Sequence, residues 1–236
     1  LAFMFHETMS DLWLLHMINT GVQSLWWFCY WMCLDEGSLA RVIDEPSAEN
    51  PNIGMYDEAL NIIGSNPSEA ERLSLCHTCH VVRPLRSKHC QNQRCCINKF
   101  DHYCPFVYNT VSRDNYKYFM GVVCLHAALS VFFLITAMFY CQRASPGFKL
   151  YMFIFYFGIW CLAIASLVQY HMTIIVKNLT TNEHINMGKY KHFMDNRNTF
   201  DNPFDLGNPK LNIWDGLFPS SVQVYTRDQA KDEQYR

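Results

Sequence analysis

Three long stretches of the chain contain no Asp, Glu, Lys or Arg, whereas the residues between and after them are ordinarily polar. They cover residues 12–34, 119–141 and 150–176. Each stretch is long enough to cross a bilayer as a helix, because about 20 helical residues span the hydrocarbon core. We therefore expect three transmembrane helices. A soluble protein with long buried helices is the alternative, but such helices usually keep one charged face.

The first stretch is the least apolar of the three, because His16, Asn19 and Gln23 lie inside it. The chain also begins with Leu1 and shows no secretory signal with a charged start and a small-residue cleavage site. We interpret it as a fragment or processed product with further sequence upstream.

The polar segments have different compositions. Residues 35–75 are rich in Gly, Pro, Asn, Ser and acidic groups, which predicts loop with one short helix at residues 55–63. Residues 76–110 are dense in Cys, His and basic groups and have few periodic apolar positions, so a metal is expected to fold them. The pattern divides the chain into a membrane segment at 1–34, a linker at 35–75, a cysteine-rich domain at 76–117, two membrane helices with a short loop at 118–176, and a tail at 177–236.

The positions of the basic residues predict an orientation. Of the 19 Lys and Arg, nine lie between the first and second stretches, eight after the third, and two between the second and third. Because basic residues accumulate on the cytoplasmic side, the linker, the cysteine-rich domain and the tail are expected in the cytosol. The short loop between the second and third stretches is expected in the lumen. The sequon at Asn178 is then expected to carry no glycan. The nearly neutral net charge gives no reason to expect nucleic acid as a partner.

Four residues have the spacing of a zinc site. Cys76 and Cys79 are separated by two residues, which lets both thiolates reach one tetrahedral ion, and His89 with Cys96 completes the set. Unligated surface thiols are the alternative. The neighbouring His77 and His80 are interpreted as solvent-facing or supporting residues.

The chain has eleven cysteines, and a reducing cytosol turns the clustered ones toward metal or catalysis. Five others lie in or at the ends of the apolar stretches, where we interpret them as small packing residues or as acylation sites. These five are Cys29, Cys33, Cys124, Cys141 and Cys161.

The run Asp101-His102-Tyr103-Cys104 contains a candidate nucleophile. A thiol with a pKa of about 8.5 needs a base to attack a thioester, and His102 is near enough in sequence to take the proton of Cys104. Asp101 would fix the tautomer of His102. The pattern alone also allows a metal ligand or an inert surface residue at Cys104, but this thiol has no place in the zinc set and precedes a membrane stretch by about 15 residues.

These motifs resemble the cysteine-rich domain of the DHHC protein S-acyltransferases. The similarity continues outside that domain, through about residues 20–215. It is carried by Cys76-x-x-Cys79, Arg83-Pro84-x-Arg86-Ser87-Lys88-His89-Cys90, Cys96, Phe100, Asp101-His102-Tyr103-Cys104-Pro105, Asn115, Phe119, Asp35-Glu36-Gly37, Thr180-Thr181-Asn182-Glu183, Phe204, Gly207 and Asn212. Motif order and the run at Lys189-Tyr190-Lys191-His192-Phe193 are most similar to the ankyrin-repeat subfamily.

The resemblance implies two zinc ions, but this chain departs from the family at the second site. Only Cys90 matches there, and the other three positions hold Gln93, Tyr103 and Thr110. One thiolate without an imidazole does not close a tetrahedral shell, and Cys95 as a substitute would still leave it short. We therefore predict one zinc ion, with packing around Tyr103 in place of the second.

The expected fold class is a membrane all-α bundle with three visible spans, a fourth upstream, and a small cytosolic zinc-organised domain of loops and short hairpins. The resemblance implies an enzyme that moves a long-chain acyl group, such as palmitoyl, from acyl-CoA through Cys104 to a cysteine of a substrate protein. The membrane helices would supply an apolar slot for the acyl chain. It further implies structural roles for Thr180, Thr181, Glu183 and Asn212, and a Golgi or related endomembrane.

The sequence allows two other functions. One is a catalytically inactive zinc-containing membrane adaptor, which the joint presence of Asp101, His102 and Cys104 disfavours. The other is a redox or metal-transport protein using Cys95 and Cys96, which the strain of a disulfide between adjacent cysteines disfavours.

Overall fold

The computed structural model describes residues 13–35, 39–44, 53–65, 74–143, 147–194, 197, 199–220 and 224–233. The beginning of the predicted 1–34 segment and the Glu36-Gly37 part of one motif lie outside these residues. The chain divides into two compact units. One is the chain up to Cys33 together with Tyr118–Thr173, and the other is Leu34–Lys117 together with Ile174–Arg236.

The first unit consists of long helices. They are α1 (Trp13–Leu34), most of α3 (Tyr116–Arg143) and most of α4 (Phe148–Ile175). A Cβ added at Gly121 of α3 would lie 2.8 Å from the sulfur of Cys29 on α1, so glycine allows these two helices to approach closely. Helices α3 and α4 meet through Phe133 and Phe157, whose ring centroids are 4.6 Å apart.

Two of these helices are long and apolar enough to cross a membrane, over Tyr116–Gln142 and Phe148–Ile175. Large apolar side chains on α4 are exposed, among them Phe155 and Leu162 at 66% and 71%. A core helix of a soluble protein would bury such side chains. The first predicted span is also helical, but its membrane insertion stays a prediction.

The second unit contains the cysteine-rich segment and the tail. Helix α2 (Met55–Ser65) confirms the short helix expected at residues 55–63. Three two-stranded antiparallel hairpins follow it. Their strands are β1 (Leu75–Cys76) with β2 (Val81–Val82), β3 (Lys88–Cys90) with β4 (Cys95–Ile97), and β5 (His102–Cys104) with β6 (Asn109–Val111).

The tail adds short helices to the same unit. These are α5 (Thr181–Asn186), two 3₁₀ turns at Met187–Lys189 and Lys191–Phe193, α6 (Pro209–Leu217) and α7 (Arg227–Glu233). Helix α5 begins with a capping box, in which Thr180 accepts from the Glu183 amide and Glu183 accepts from the Thr180 amide.

Non-glycine residues turn the chain at several tight points. His80, Arg86, Arg94, Lys99 and Tyr108 all have positive φ angles, between 46° and 66°. This conformation is unfavourable for residues with a Cβ and persists where the surrounding contacts determine it. The backbone conformation of these turns therefore depends on packing and hydrogen bonds with neighbouring residues.

Candidate functional site: a metal cluster beside a Cys-His-Asp hairpin

Two hairpins bring the four predicted zinc ligands together. Cys76 ends β1 and Cys79 lies in the following turn, while His89 and Cys96 are direct partners across β3 and β4. Their donor atoms all lie within 4.8 Å of one another. The His89 Nδ1 atom is 3.6 Å from the Cys76 sulfur, 3.2 Å from that of Cys79 and 3.9 Å from that of Cys96.

This geometry fits a tetrahedral zinc ion. With Zn–S of about 2.3 Å and Zn–N of about 2.0 Å, an ideal tetrahedron has S···N edges of about 3.5 Å. Three sulfurs and one imidazole nitrogen at these separations form a closed set, which is typical of a structural site. These are the residues that would hold the metal.

The two histidines next to Cys76 and Cys79 in sequence, His77 and His80, lie outside the set of four candidate ligands. The Nδ1 atom of His77 is 2.7 Å from the hydroxyl of Tyr56, and the His80 ring packs edge-on against the same Tyr56 ring at 5.3 Å. Helix α2, which carries Tyr56, thereby contacts the first hairpin through these two rings.

The residues at the positions of the family's second zinc site make hydrogen-bonding and apolar contacts. The Cys90 sulfur lies 3.2 Å from the Thr110 hydroxyl, and the Gln93 side chain donates to Asn109 at 3.0 Å. Tyr103 packs against the apolar cluster that contains Cys90. Within the described ranges, the only group of at least three Cys, His or acidic side chains arranged for a metal is the one around His89.

Strand β5 places His102 and Cys104 on one face. Side chains two residues apart on a strand point the same way, and Tyr103 between them points the other way, toward the Cys90 cluster. His102 pairs with Val111 and Cys104 with Asn109 across the hairpin. An extended backbone therefore brings the imidazole and the thiol into hydrogen-bonding contact.

Asp101 is buried behind the imidazole. Its Oδ2 atom lies 2.6 Å from Nδ1 of His102, and its side chain is 2% exposed. Burial alone would lower the pKa of His102, but the hydrogen bonds to Asp101 and Cys104 and the charge of Asp101 raise it to about 9. The carboxylate thus fixes the ring and favours its protonated form.

The thiol of Cys104 is activated. Burial opposes its ionisation, but the hydrogen bond to His102 and the backbone N–H groups of Val107 and Phe106 outweigh burial and lower the pKa. The turn after Cys104 thus directs two amide donors at the sulfur. The arrangement favours a thiolate–imidazolium pair, which is the reactive form of a cysteine nucleophile.

Helix α5 supports the carboxylate of Asp101 from behind. The amide of Thr181 donates to Asp101 Oδ1 at 2.7 Å, and the amide of Asn182 donates to the Asp101 carbonyl at 3.1 Å. Thr180 caps this helix, so the three residues 180–182 fix the end that meets Asp101.

A buried ion pair joins α5 to the cysteine-rich segment. Arg86 donates to both carboxylate oxygens of Glu183 at 2.7 and 2.8 Å, and also to the side chain and carbonyl of Asn178. Burial would raise the pKa of Glu183, but the charge and hydrogen bonds of Arg86 keep it below its ordinary value. Arg86 also stacks on the Phe204 ring at 4.4 Å.

A second, partly buried ion pair was not predicted from the sequence. Lys99 Nζ donates to the carboxylate of Asp215 at 3.1 Å and to its carbonyl at 3.0 Å. Burial and the nearby Arg86 charge lower the pKa of Lys99 to about 8, although Asp215 acts in the opposite direction. The two residues are 116 positions apart, so no local pattern connects them.

Asn212 ties the start of α6 to the end of α4. Its oxygen accepts from the Leu206 amide at 2.9 Å, and its nitrogen donates to the Val176 carbonyl and to Asp205, both at 2.8 Å. Asn212 is 1% exposed.

The Cys₃His set could hold a metal ion, and the β5–β6 hairpin that follows it in the chain carries the Cys-His-Asp set. This combination is typical of the class of proteins that have a structural metal site and a cysteine nucleophile. The family model described as "DHHC palmitoyltransferase" matches residues 69–188, which include every residue of both constellations. The chain belongs to this family.

Curated relatives agree with this assignment. Palmitoyltransferase ZDHHC9 of Pongo abelii is 30% identical over 192 residues, which cover 75% of this chain and 49% of the relative. Palmitoyltransferase ZDHHC17 of Rattus norvegicus is 32% identical over 186 residues, covering 64% of this chain and 28% of the relative. Palmitoyltransferase ZDHHC18 of Mus musculus is 34% identical over 131 residues, covering 48% and 33%. The ankyrin-repeat subfamily, represented by ZDHHC17, is among these relatives. The chain spans about half the length, or less, of the curated relatives it matches.

Proposed function

We propose that this chain is the catalytic part of a protein S-acyltransferase, which moves a long-chain acyl group such as palmitoyl from acyl-CoA to a cysteine of a substrate protein. The observation that carries the proposal is the Cys104 thiol, whose pKa is lowered by His102 while Asp101 fixes the imidazole. A non-catalytic adaptor would have no use for this activation.

In the first step, the thiolate of Cys104 attacks the thioester carbonyl of acyl-CoA. A carbon–sulfur bond forms to Cys104 as the bond to CoA breaks, and the CoA thiolate can take the proton held by His102. Asp101 keeps the imidazole oriented throughout. The product is an acyl thioester on Cys104.

In the second step, His102 takes the proton of a substrate cysteine, whose sulfur attacks the acyl thioester. The acyl group passes to the substrate, and Cys104 leaves as a thiolate. Two exposed aromatic rings, Phe106 and Tyr108, lie at the tip of this hairpin, each 80% exposed. They offer apolar contact area for an acyl chain beside the nucleophile.

The metal has a structural role in this proposal. Cys76, Cys79, His89 and Cys96 would hold one zinc ion, which supplies folding free energy to a segment with little apolar core. The Cys90–Thr110 and Gln93–Asn109 contacts occupy the second position. Elemental analysis of the purified chain is expected to give one zinc, and to give none in Cys96→Ser. Two zinc ions per chain would contradict the proposal.

The membrane arrangement belongs to the same proposal. Helices α3 and α4 cross the bilayer, α1 forms a further span with a fourth upstream, and the second unit lies in the cytosol. The proposal also includes a Golgi or related endomembrane as the location, and acyl-CoA and cysteine-bearing proteins as partners. Family membership supports this part of the proposal.

The direct test is acylation of the purified 236-residue chain by alkyne-tagged palmitoyl-CoA. We expect hydroxylamine-sensitive label on Cys104, loss of the label in Cys104→Ser, and full label in the matched variant Cys124→Ser. Undiminished label in Cys104→Ser would show that another group is the acceptor.

A further inference from the structure

The β3–β4 hairpin carries two pairs of opposed residues. His89 and Cys96 are direct partners, and both belong to the metal cluster. The next pair toward the turn is Cys90 and Cys95. Because side chains alternate along a strand, this second pair points to the opposite face, away from the metal.

The opposed cysteines have a geometry that a disulfide can bridge. Directly opposed residues of an antiparallel pair have Cα atoms about 4.5–5.5 Å apart, within the range of about 4.4–6.8 Å seen in disulfides. Cys90 forms a buried apolar cluster with Leu39, Ile97 and Phe100, and the partly buried Cys95 packs against this cluster. Both thiols are free in the structure.

Neither thiol is used by the metal cluster or by the Cys-His-Asp set. Cys90 is 5% exposed and its sulfur contacts the Thr110 hydroxyl at 3.2 Å, while Cys95 is partly exposed. We propose that Cys90 and Cys95 form an oxidation site, at which hydrogen peroxide converts the two thiols into a disulfide within the hairpin.

The chemistry balances with peroxide as the oxidant. The more exposed Cys95 attacks one oxygen of hydrogen peroxide, giving a sulfenic acid and the first water. Cys90 then attacks the Cys95 sulfur, an S–S bond forms, and the hydroxyl leaves as the second water. Two thiols are oxidised by two electrons, and one peroxide is reduced to two waters. A thiol reductant reverses the step by exchange.

Formation of the disulfide would alter the β5–β6 hairpin through the contact between Cys90 and Thr110. To bond Cys95, the Cys90 sulfur has to turn away from Thr110, which pairs with Tyr103 across β5 and β6. Tyr103 lies between His102 and Cys104. A displacement of about 1 Å at reacting groups costs about 10²-fold in rate, so partial loosening is expected to slow acylation of Cys104 about tenfold. This consequence rests on the proposed function, whereas formation of the disulfide does not.

Peptide mapping tests the disulfide by itself. The Cys104→Ser chain is treated with peroxide, blocked with a maleimide and digested with trypsin, which cuts after Lys88, Arg94 and Lys99. We expect the peptides 89–94 and 95–99 to be joined, with fragmentation placing the bridge at Cys95 and not Cys96, and the zinc content to be unchanged. Separate peptides, or a bridge at Cys96 with loss of zinc, would overturn the proposal.

A second measurement tests the effect on activity. In the wild-type chain, mild peroxide is expected to slow acylation of Cys104 about tenfold and dithiothreitol to restore it. Cys95→Ser is expected to keep its basal rate and to lose this reversible inhibition. Equal inhibition of wild type and Cys95→Ser would assign the effect to oxidation of another thiol, contradicting the link between this pair and the hairpin. Joined peptides without any acylation in the wild type would instead contradict only the proposed function.

Discussion

At the scale of single residues, the pKa of Cys104 is lowered by three hydrogen-bond donors of two kinds. His102 contributes a side-chain hydrogen bond and charge, and Val107 and Phe106 contribute backbone N–H groups. The histidine is in turn oriented by Asp101 at 2.6 Å. The sequence predicted the two side chains, because they are part of a recognisable run. It did not predict the amide donors, which depend on the conformation of the turn after Cys104.

The reactivity of Cys104 should therefore depend on pH in a defined direction. Iodoacetamide reacts with the thiolate, and a free cysteine has a pKa of about 8.5. Because the pKa of Cys104 is lowered, Cys104 is still a thiolate at pH values at which a free cysteine is already protonated. The midpoint of its rate–pH curve should therefore lie below about 8.5. His102→Gln removes the imidazolium and should move the midpoint upward.

Cys95, which is partly exposed and lies outside the membrane helices, gives an internal control for this measurement, because the His102 substitution should leave its alkylation unchanged. Peptide-resolved mass spectrometry separates the two thiols. Identical midpoints for Cys104 in the wild type and in His102→Gln would contradict the thiolate–imidazolium pair.

At the scale of elements, the positions of the membrane helices were largely predictable. Short hairpins in the cysteine-rich domain were predicted and are confirmed, but their positions were not predictable. The charge-free stretches predicted membrane helices at 119–141 and 150–176, and the observed helices Tyr116–Arg143 and Phe148–Ile175 extend beyond the apolar window at one or both ends. Strands of two or three residues give no periodic signal. Their turns use the positive-φ residues His80, Arg94 and Tyr108 instead of the glycines that mark such turns in sequence.

The contacts between elements were also hidden, because their partners are far apart in sequence. Arg86 and Glu183 each appeared in a motif, but nothing in either motif paired them across 97 positions. Lys99 and Asp215 had no motif at all. The opposite charges of such a pair come together only in the folded chain, so a local sequence pattern cannot identify the two partners.

The Arg86–Glu183 pair should be important for the stability of the second unit. Its side chains are 8% and 2% exposed, and loss of one partner of a buried pair costs about 3–5 kcal/mol. We expect Arg86→Met to lower the midpoint of thermal unfolding strongly. Since the pKa of Glu183 is lowered, the contribution of this pair is present above the unfolded-state value of about 4.3 and is lost as the pH falls through the folded-state value.

A surface pair provides the matched control. Arg113 contacts Asp114, and their side chains are 21% and 42% exposed. Such pairs contribute about 0–1 kcal/mol, so Arg113→Met should shift the same midpoint little. Equal destabilisation by Arg86→Met and Arg113→Met would contradict the special role of the buried pair.

At the scale of the whole molecule, the two apolar helices α3 and α4 determine which segments share a side of the membrane. If both cross the bilayer, the chain returns after α4 to the side on which the cysteine-rich segment lies. This conclusion does not depend on whether α1 is a span. Asn178 supports the absence of a glycan independently, because it is 3% exposed and its amide nitrogen donates to Phe204 and Asp215.

Protease protection in sealed microsomes checks this topology. Epitope tags placed in the linker near residue 66 and after residue 236 are expected to be digested together from the cytosolic side, whereas a tag at residue 145 should be protected until detergent is added. Protection of only one of the first two tags would contradict two crossings between them.

The proposed route of the acyl group, through Cys104 to a substrate cysteine, can be followed in a single-turnover chase. The chain is loaded with radiolabelled palmitoyl-CoA, excess CoA ester is removed, and a membrane-anchored cysteine peptide is added. We expect label to leave Cys104 at the rate at which it appears on the peptide cysteine, and His102→Gln to slow both together. Label that stays on Cys104 after the peptide is added, with acylation of the peptide only when fresh palmitoyl-CoA is supplied, would contradict this route.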